Sequence, residues 1–451
     1  MSDSTRQPLR PAHRVMSMNR LRWIAASAGA LVALSAAPAA AAQPDFAGRY
    51  LAAISDGDVV ARTYVDGRLP AQVLPDRLAV VRDPLRADGP TAEIEVGNSV
   101  LAAPYALDLS PDGRTAYVVE TFGLTPPGAL LRSELPIGSR LTVVDVSRPR
   151  APRVVDRVDL GVARPETVSV SPDGRTLAVS TATPGAEVLF IPVRRGRVGA
   201  SVRTSLSALG IAPDPSRPGG GMSVSQVEWR PSGRAVALNL FMRDQVQFAR
   251  LGRGLRLAPW GAPVTVGRDP FSGRFTPDGR HFLTSDWGRD FRPEADTAEE
   301  RLPTQPGTVS AVRLARSGAH AVVDREVSGL NPEGIAISPR GDLVATVNMR
   351  GSGFPPDHPR FTTASITLLR FDGRTDRLRR VVEQPFRGVS PQNATFDARG
   401  RYLAVAVLEY LQPTPGGGIE LFRVTRSRRP QLEPARDRIP LGRGAHQVEL
   451  G

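Results

Sequence analysis

The chain reads as an all-β protein, a seven-bladed β-propeller closed by pairing of its N- and C-terminal strands in one shared blade. Three observations predict this. A strand–turn–strand unit recurs six times, a seventh copy is split between the two ends, and the spacing of the copies closes into a circle.

The unit is clearest at Ser110-Pro111-Asp112-Gly113 and Ser171-Pro172-Asp173-Gly174. It returns at Arg230-Pro231-Ser232-Gly233, Thr276-Pro277-Asp278-Gly279, Ser338-Pro339-Arg340-Gly341 and Asp397-Ala398-Arg399-Gly400. Pro presets φ at the second turn position, Asp caps the turn, and Gly takes the left-handed conformation. Alternation of apolar and polar residues on both sides makes each unit a hairpin.

Gly48-Arg49-Tyr50-Leu51-Ala52 matches Gly400-Arg401-Tyr402-Leu403-Ala404 but has no strand before it. Ala445-His446-Gln447-Val448-Glu449-Leu450 is a first strand with no second. Joined, the two complete a seventh repeat. The repeat glycines are 46 to 65 residues apart, and the path from Gly400 through Gly451 and on from Gln43 to Gly48 is 57. Sharing one blade between the ends hides both sheet edges. Two more strands are expected after each hairpin, at 187–193 and 201–209 in the third repeat and at 365–371 and 378–382 in the sixth. Helix-length amphipathic patterns are absent.

Composition narrows the chemistry. Of 451 residues 41% are hydrophobic and 23% charged, an ordinary globular profile, and the 43 Gly and 42 Pro are spread along the chain as a many-turned fold requires. There is no Cys, which excludes disulfides, thiolate nucleophiles, sulfur metal ligands and haem attachment. All 58 basic residues are Arg, which excludes a Schiff-base lysine and a phosphate-binding P-loop. Net charge is +13, but no dense Arg block interleaved with aromatics is present, so nucleic acid is not an expected partner.

Residues 1–42 read as an export signal. Arg20 and Arg22 form a basic n-region, residues 23–34 an apolar run, and residues 35–42 a small-residue cleavage region ending in Ala40-Ala41-Ala42. Met16 or Met18 is an alternative start. The apolar run is too short to span a bilayer, and no later segment is apolar enough. Leu21 separates the two arginines, so no twin-arginine pair forms, and no Cys follows for a lipid anchor. The expectation is a Sec-type exported monomer, periplasmic or secreted, with residues 43–451 forming the propeller.

Propellers bind along the central channel, which the innermost strand of each blade lines. Eight residues before each repeat glycine gives a ring at one mouth: His446, Tyr105, Glu166, Ser225, Phe271, Glu333 and Gln392. Three residues further on lie Glu449, Asp108, Ser169, Glu228, Arg274, Ala336 and Thr395. Tyr105, Gln392, Ser225, Asp108, Glu228, Glu449 and Arg274 are the ligand-binding candidates. Crowded acids raise one another's pKa, which suits acid–base work. Glu166 and Glu333 are also the candidates for holding a hard cation such as Ca²⁺ through oxygen. The plainer reading is that these side chains face channel water or pair with Arg across blades.

Three long loops, 121–139, 289–306 and 351–362, follow second strands and therefore lie on the mouth face. The second carries Asp290, Glu294, Asp296, Glu299 and Glu300, and the third Asp357 and His358. Loops of this length are uncommon without a role. The glycosylation-type sequence at Asn393 lies on a channel strand and is incidental. No nucleophile elbow, zinc-protease helix motif or dinucleotide fingerprint is present.

On its Ser-Pro-Asp-Gly units, the chain from residue 43 onward resembles the YVTN-type and lactonase-like seven-bladed propellers. It does not resemble a WD40 array, whose period is shorter; the lone Asp286-Trp287 pair is in the reverse order. In lactonase-like propellers the position of His446 often carries the second His of a His-Pro-His motif. Here the text is Gly444-Ala445-His446-Gln447, without the first His and the Pro. Three functions fit. One is a non-catalytic envelope or extracellular scaffold that binds a small molecule or an envelope protein at the channel mouth. Another, which the resemblance implies, is hydrolysis of a small lactone or ester, with His446 as base and Glu166 and Glu333 positioning water or a cation. The third is a redox-associated propeller subunit, which needs a partner subunit or a quinone.

Overall fold

A computed structural model describes residues 45–194, 196–289, 291, 302–410 and 416–451. The expected export signal at 1–42 lies outside the described residues, as do Asp290, Glu294, Asp296, Glu299 and Glu300. The described chain forms seven antiparallel sheets of four or five strands each, the blades of a β-propeller.

The ring closes as the split repeat requires. Strand Leu51–Ser55 pairs on its outer side with Arg77–Val81 and on its inner side with Ala445–Leu450. The register runs from Leu51 opposite Leu450 to Ile54 opposite Gln447, and after a bulge Ser55 faces Ala445. The Arg49 amide donates to the Gly451 carbonyl at 2.8 Å. The other blades begin with inner strands Leu107–Leu109, Pro165–Val170, Gln226–Trp229, Pro270–Phe275, Pro332–Ile337 and Val389–Phe396.

Six repeat glycines, from Gly113 to Gly400, have φ between 60° and 74°, as the turn demands. In the first of these turns the Gly113 amide donates to the Ser110 carbonyl at 2.7 Å, and Asp112 accepts from the Ser110 hydroxyl at 2.6 Å. Gly48 has no positive φ, because its incoming strand is at the other end of the chain and no tight turn is needed. A Cβ there would lie 2.3 Å from Leu450 Cδ1, so a larger residue would push that side chain aside.

Burial follows strand position. Second strands such as Ala235–Leu240 are buried at every residue because neighbouring blades cover both faces, so they read as apolar runs. The outer strand Arg153–Asp159 alternates exposed and half-buried residues. Each fully buried Leu, Val or Phe contributes roughly 1.5–3 kcal/mol. The third blade departs from expectation at 201–209. Only Val202–Thr204 is strand there, and a 3₁₀ turn follows at Ser207–Leu209. Leu206 and Leu209 turn inward to pack with Trp229 and Val236, a burial that a straight outer strand would forgo. The sixth-blade strands fall at Ser365–Asp372 and Arg377–Pro385, as the pattern indicated. Among the described residues the α-helix Thr63–Asp66 has four residues, and no helix is long and apolar enough to cross a membrane.

Polar side chains stitch the inner strands across blades. Gln447 accepts from the Leu107 amide at 2.8 Å and donates to its carbonyl at 2.6 Å. Gln226 accepts from the Gly273 amide at 2.7 Å. Asn393 donates to the Pro104 carbonyl and accepts from the Val448 amide. It is fully buried, which removes it as a sugar acceptor in the folded chain.

Candidate functional site at the channel mouth

Inner strands start, and second strands end, on the same face, so the loops after second strands gather over the mouth. Phe241, Phe271, Trp287, Leu302, Met349 and Phe354 form one apolar cluster there with Tyr105. Arg360 ties two loops by donating to the Leu302 carbonyl at 2.9 Å. In the third loop Asp357 is exposed, while His358 stacks on Phe354 with ring centroids 4.4 Å apart.

Arg289 is a cation held in this mouth. Its guanidinium carbon lies 3.7 Å from the Trp287 ring centroid and 4.3 Å from that of Phe271. Asp269, with φ of 56°, turns its fully buried carboxylate onto Arg289 and accepts from Nε at 2.7 Å. Burial pushes Asp269 up to about 6 against the opposing pull of Arg289. A charge stacked on aromatic faces and fixed by a carboxylate is a preorganised electrostatic group.

Glu166 and Glu333 both feel Arg289. Glu166 accepts from Arg164 at 2.9 Å. Burial raises it to about 7, opposed by Arg164 and then Arg289. Glu333 is 1% exposed, and its Oε2 has no hydrogen-bond partner. Burial raises it to about 8, opposed by Arg289 and reinforced by Asp269. The Trp287 indole nitrogen is likewise buried without a partner. Orphaned buried polar atoms are rare and mark sites that a ligand or water completes. Arg164 pairs directly with Glu166, and Arg289 acts on both glutamates through its charge.

His446 points elsewhere. Its Nε2 is 2.7 Å from Asn98 Oδ1. The Asn98 amide nitrogen donates to the Ser55 and Val96 carbonyls, so Oδ1 is the acceptor and His446 carries its hydrogen on Nε2. Nδ1 is then a buried lone pair without a partner. Burial alone lowers the imidazole to about 3, so it stays neutral. The structure thus brings Glu166 and Glu333 toward Arg289 and holds His446 against Asn98.

The other ring residues have partners within the protein. Tyr105 Oη donates to the Ile335 carbonyl at 3.1 Å, Ser225 donates to the Asn239 carbonyl, and Gln392 donates to the Ser390 carbonyl. Tyr64 Oη donates to the Val100 carbonyl and lies 3.5 Å from Gln392 Oε1. Below the mouth Arg274 crosses the axis. It donates to Glu228 at 3.0 Å and to Glu449 at 3.1 Å, and its guanidinium carbon is 4.4 Å from the Tyr105 ring centroid. Asp108 accepts from the Val170 amide at 2.6 Å. Burial, with Glu449 beside it, raises Asp108 to about 8. Ser169 lies 3.5 Å from Glu228. At the far end Asp108 and Glu449 line a recess of about 320 Å³ with Arg49 and Asp112. Arg289, Asp269, Trp287 and Tyr64 were not foreseen from sequence. Arg289 and Trp287 border the long loop after residue 288, Tyr64 lies in the first blade's short helix, and Asp269 stands ten residues before its repeat glycine, where Arg164, Asn331 and Ser390 share its positive φ.

No sequence-family model matches the chain, and no curated protein matches it. Solved structures do. A candidate 6-phosphogluconolactonase of Bacteroides uniformis superposes with a TM-score of 0.59 at 15% identity, covering 89% of this chain and 100% of its own. The periplasmic gluconolactonase PpgL of Pseudomonas aeruginosa gives 0.59 at 17% identity, covering 89% and 99%. A candidate 6-phosphogluconolactonase of Bacteroides fragilis gives 0.56 at 14%, covering 89% and 98%. The chain therefore has the fold of the lactonase-type propellers. At these identities the likeness is one of fold.

Proposed function

We propose that the protein hydrolyses a small lactone or related ester at the channel mouth, as an exported enzyme of the periplasm or extracellular space. The observation that carries this reading is Glu333, buried with a free carboxylate oxygen in the field of the fixed Arg289 guanidinium. The lactonase-type fold and the sequence signal for export support it.

Glu333 takes a proton from water, whose oxygen adds to the lactone carbonyl. Arg289 stabilises the charge growing on the carbonyl oxygen. The ring C–O bond then breaks, and the proton returns from Glu333 to the leaving oxygen, giving a hydroxy acid. Glu166, paired with Arg164, positions the substrate.

The test is pH-stat hydrolysis of a panel of aldonolactones, corrected for the spontaneous rate. The base form of Glu333 grows as pH rises toward 8, so kcat/KM is expected to rise with an apparent pKa near 8. Glu333→Gln should lower it by about 10²–10⁴-fold. Glu166→Gln should mainly raise KM. Equal turnover by wild type and Glu333→Gln would sink the assignment, and a large loss in His446→Asn alone would move the base to the imidazole.

A second reading has its own support. Every residue of the mouth ring is at most 9% exposed, and Arg274, Glu228 and Glu449 fill the axis below. Such a mouth suits a scaffold that binds a small molecule or an envelope protein without chemistry. Absence of turnover across the panel, with retained lactone binding, would favour it.

A further inference from the structure

Beside the mouth, on the first blade, Asp56, Asp58 and Asp76 each offer a carboxylate oxygen, and these oxygens lie within 4.8 Å of one another. All three side chains are buried. No arginine forms an ion pair with any of them among the described residues, whereas the buried Glu120, Glu166 and Asp269 each pair with one. Backbone amides hold the group in place. Asp56 accepts from Val100 and Asp58, and Asp76 from Gly57 and Asn98. Uncompensated charges of one sign in a buried site are costly and ask for a counter-ion.

A second feature points to what that ion is. Thr125, in the loop 121–139, is pinned to the Asp58 carboxylate by its own amide, which holds this residue against the group. Thr125 is 6% exposed and its hydroxyl has no hydrogen-bond partner. The donors are all oxygen, which selects a hard cation. The spacing lets all three carboxylates reach one ion at the 2.3–2.6 Å typical of Ca²⁺.

We propose that Asp56, Asp58 and Asp76, with the Thr125 hydroxyl, bind one divalent cation of the Ca²⁺ class. The ion fastens three segments of the mouth rim: residues 56–58 after strand Leu51–Ser55, the stretch around Asp76, and the loop that carries Thr125. It also braces His446, because Asn98 donates its amide to Asp76 and its Oδ1 receives His446. The site is distinct from Glu166 and Glu333 and stands whether or not the mouth hydrolyses a lactone.

The experiment strips the purified protein with EDTA and titrates CaCl₂ by calorimetry, with thermal unfolding in parallel. One equivalent should bind, and saturating calcium should raise Tm by roughly 3–5 °C. Asp58→Asn should abolish both responses, and Thr125→Val should shift binding to higher calcium. If Asp58→Asn fails to fold, Thr125→Val and the wild-type titration decide. No calcium uptake by the wild type overturns the proposal. So does loss of uptake in a Glu166→Gln, Glu333→Gln variant with retention in Asp58→Asn, which would place the ion at the mouth acids.

Discussion

Arg274 lies on the channel axis between Glu228 and Glu449, all three largely buried. Replacing it with Ala leaves two carboxylates without their cation and should cost about 3–5 kcal/mol in urea unfolding. Converting all three together, to Met, Gln and Gln, should recover much of that loss. A residual deficit as large as in Arg274→Ala would mean that the stacked Tyr105 contact, rather than the charges, carries the effect. Arg289 is a different case. It is held by Asp269 and four aromatic rings at the mouth, where Glu166 and Glu333 both feel its charge. Burial dominates both glutamates, so each is more basic than a surface carboxylate despite a nearby guanidinium.

The closing strand Ala445–Leu450 is the element on which the ring depends. Removing 445–451 exposes the inner edge of Leu51–Ser55 along its whole length, a ready template for another chain. The truncated protein is expected to elute as aggregates or strand-swapped oligomers in size-exclusion chromatography. A monomer with unchanged Tm would show that the shared blade does not lock the ring. This closure was legible in sequence because both halves of the repeat survive at the ends with their residues intact. The turns were legible too, through Pro, Asp and Gly at fixed offsets. The fourth strand of the third blade was not, because the inward turn of Leu206 and Leu209 answers to Trp229 on another blade. The site was legible only in part. The repeat offset found Glu166 and Glu333, but Arg289 lies in a connection with no period, and Asp269 shares its offset and positive φ with Arg164, Asn331 and Ser390, so its carboxylate stands out only once the fold is seen. Asp56, Asp58 and Asp76 meet because a blade edge and two loops fold together, which spacing alone does not disclose.

Across the whole molecule, buried carboxyls set an acid-leaning stability profile. Asp108 and Glu333 are raised to about 8, Glu166 and Asp76 to about 7, and Asp269 to about 6, in each case chiefly by burial. The unfolded chain releases these protons near pH 4, whereas the folded one keeps them until pH 6–8. The unfolded state therefore binds fewer protons in that window, and stability must fall as pH rises through it. The calcium-free protein should show a higher Tm at pH 5 than at pH 8.5, and Glu333→Gln should narrow the gap. A Tm that climbs between those values would contradict the protonated assignment.

The shared blade also sets a clock. Leu51–Ser55 leaves the ribosome about 390 residues before its inner partner Ala445–Leu450. At roughly 5–20 residues per second that is a wait of about 20–80 s. Throughout synthesis the first blade lacks its innermost strand, so the nascent chain cannot complete its ring however well the middle blades have formed. A chain kept open in this way remains threadable until its last strand is made, a property that the export proposed above would draw on.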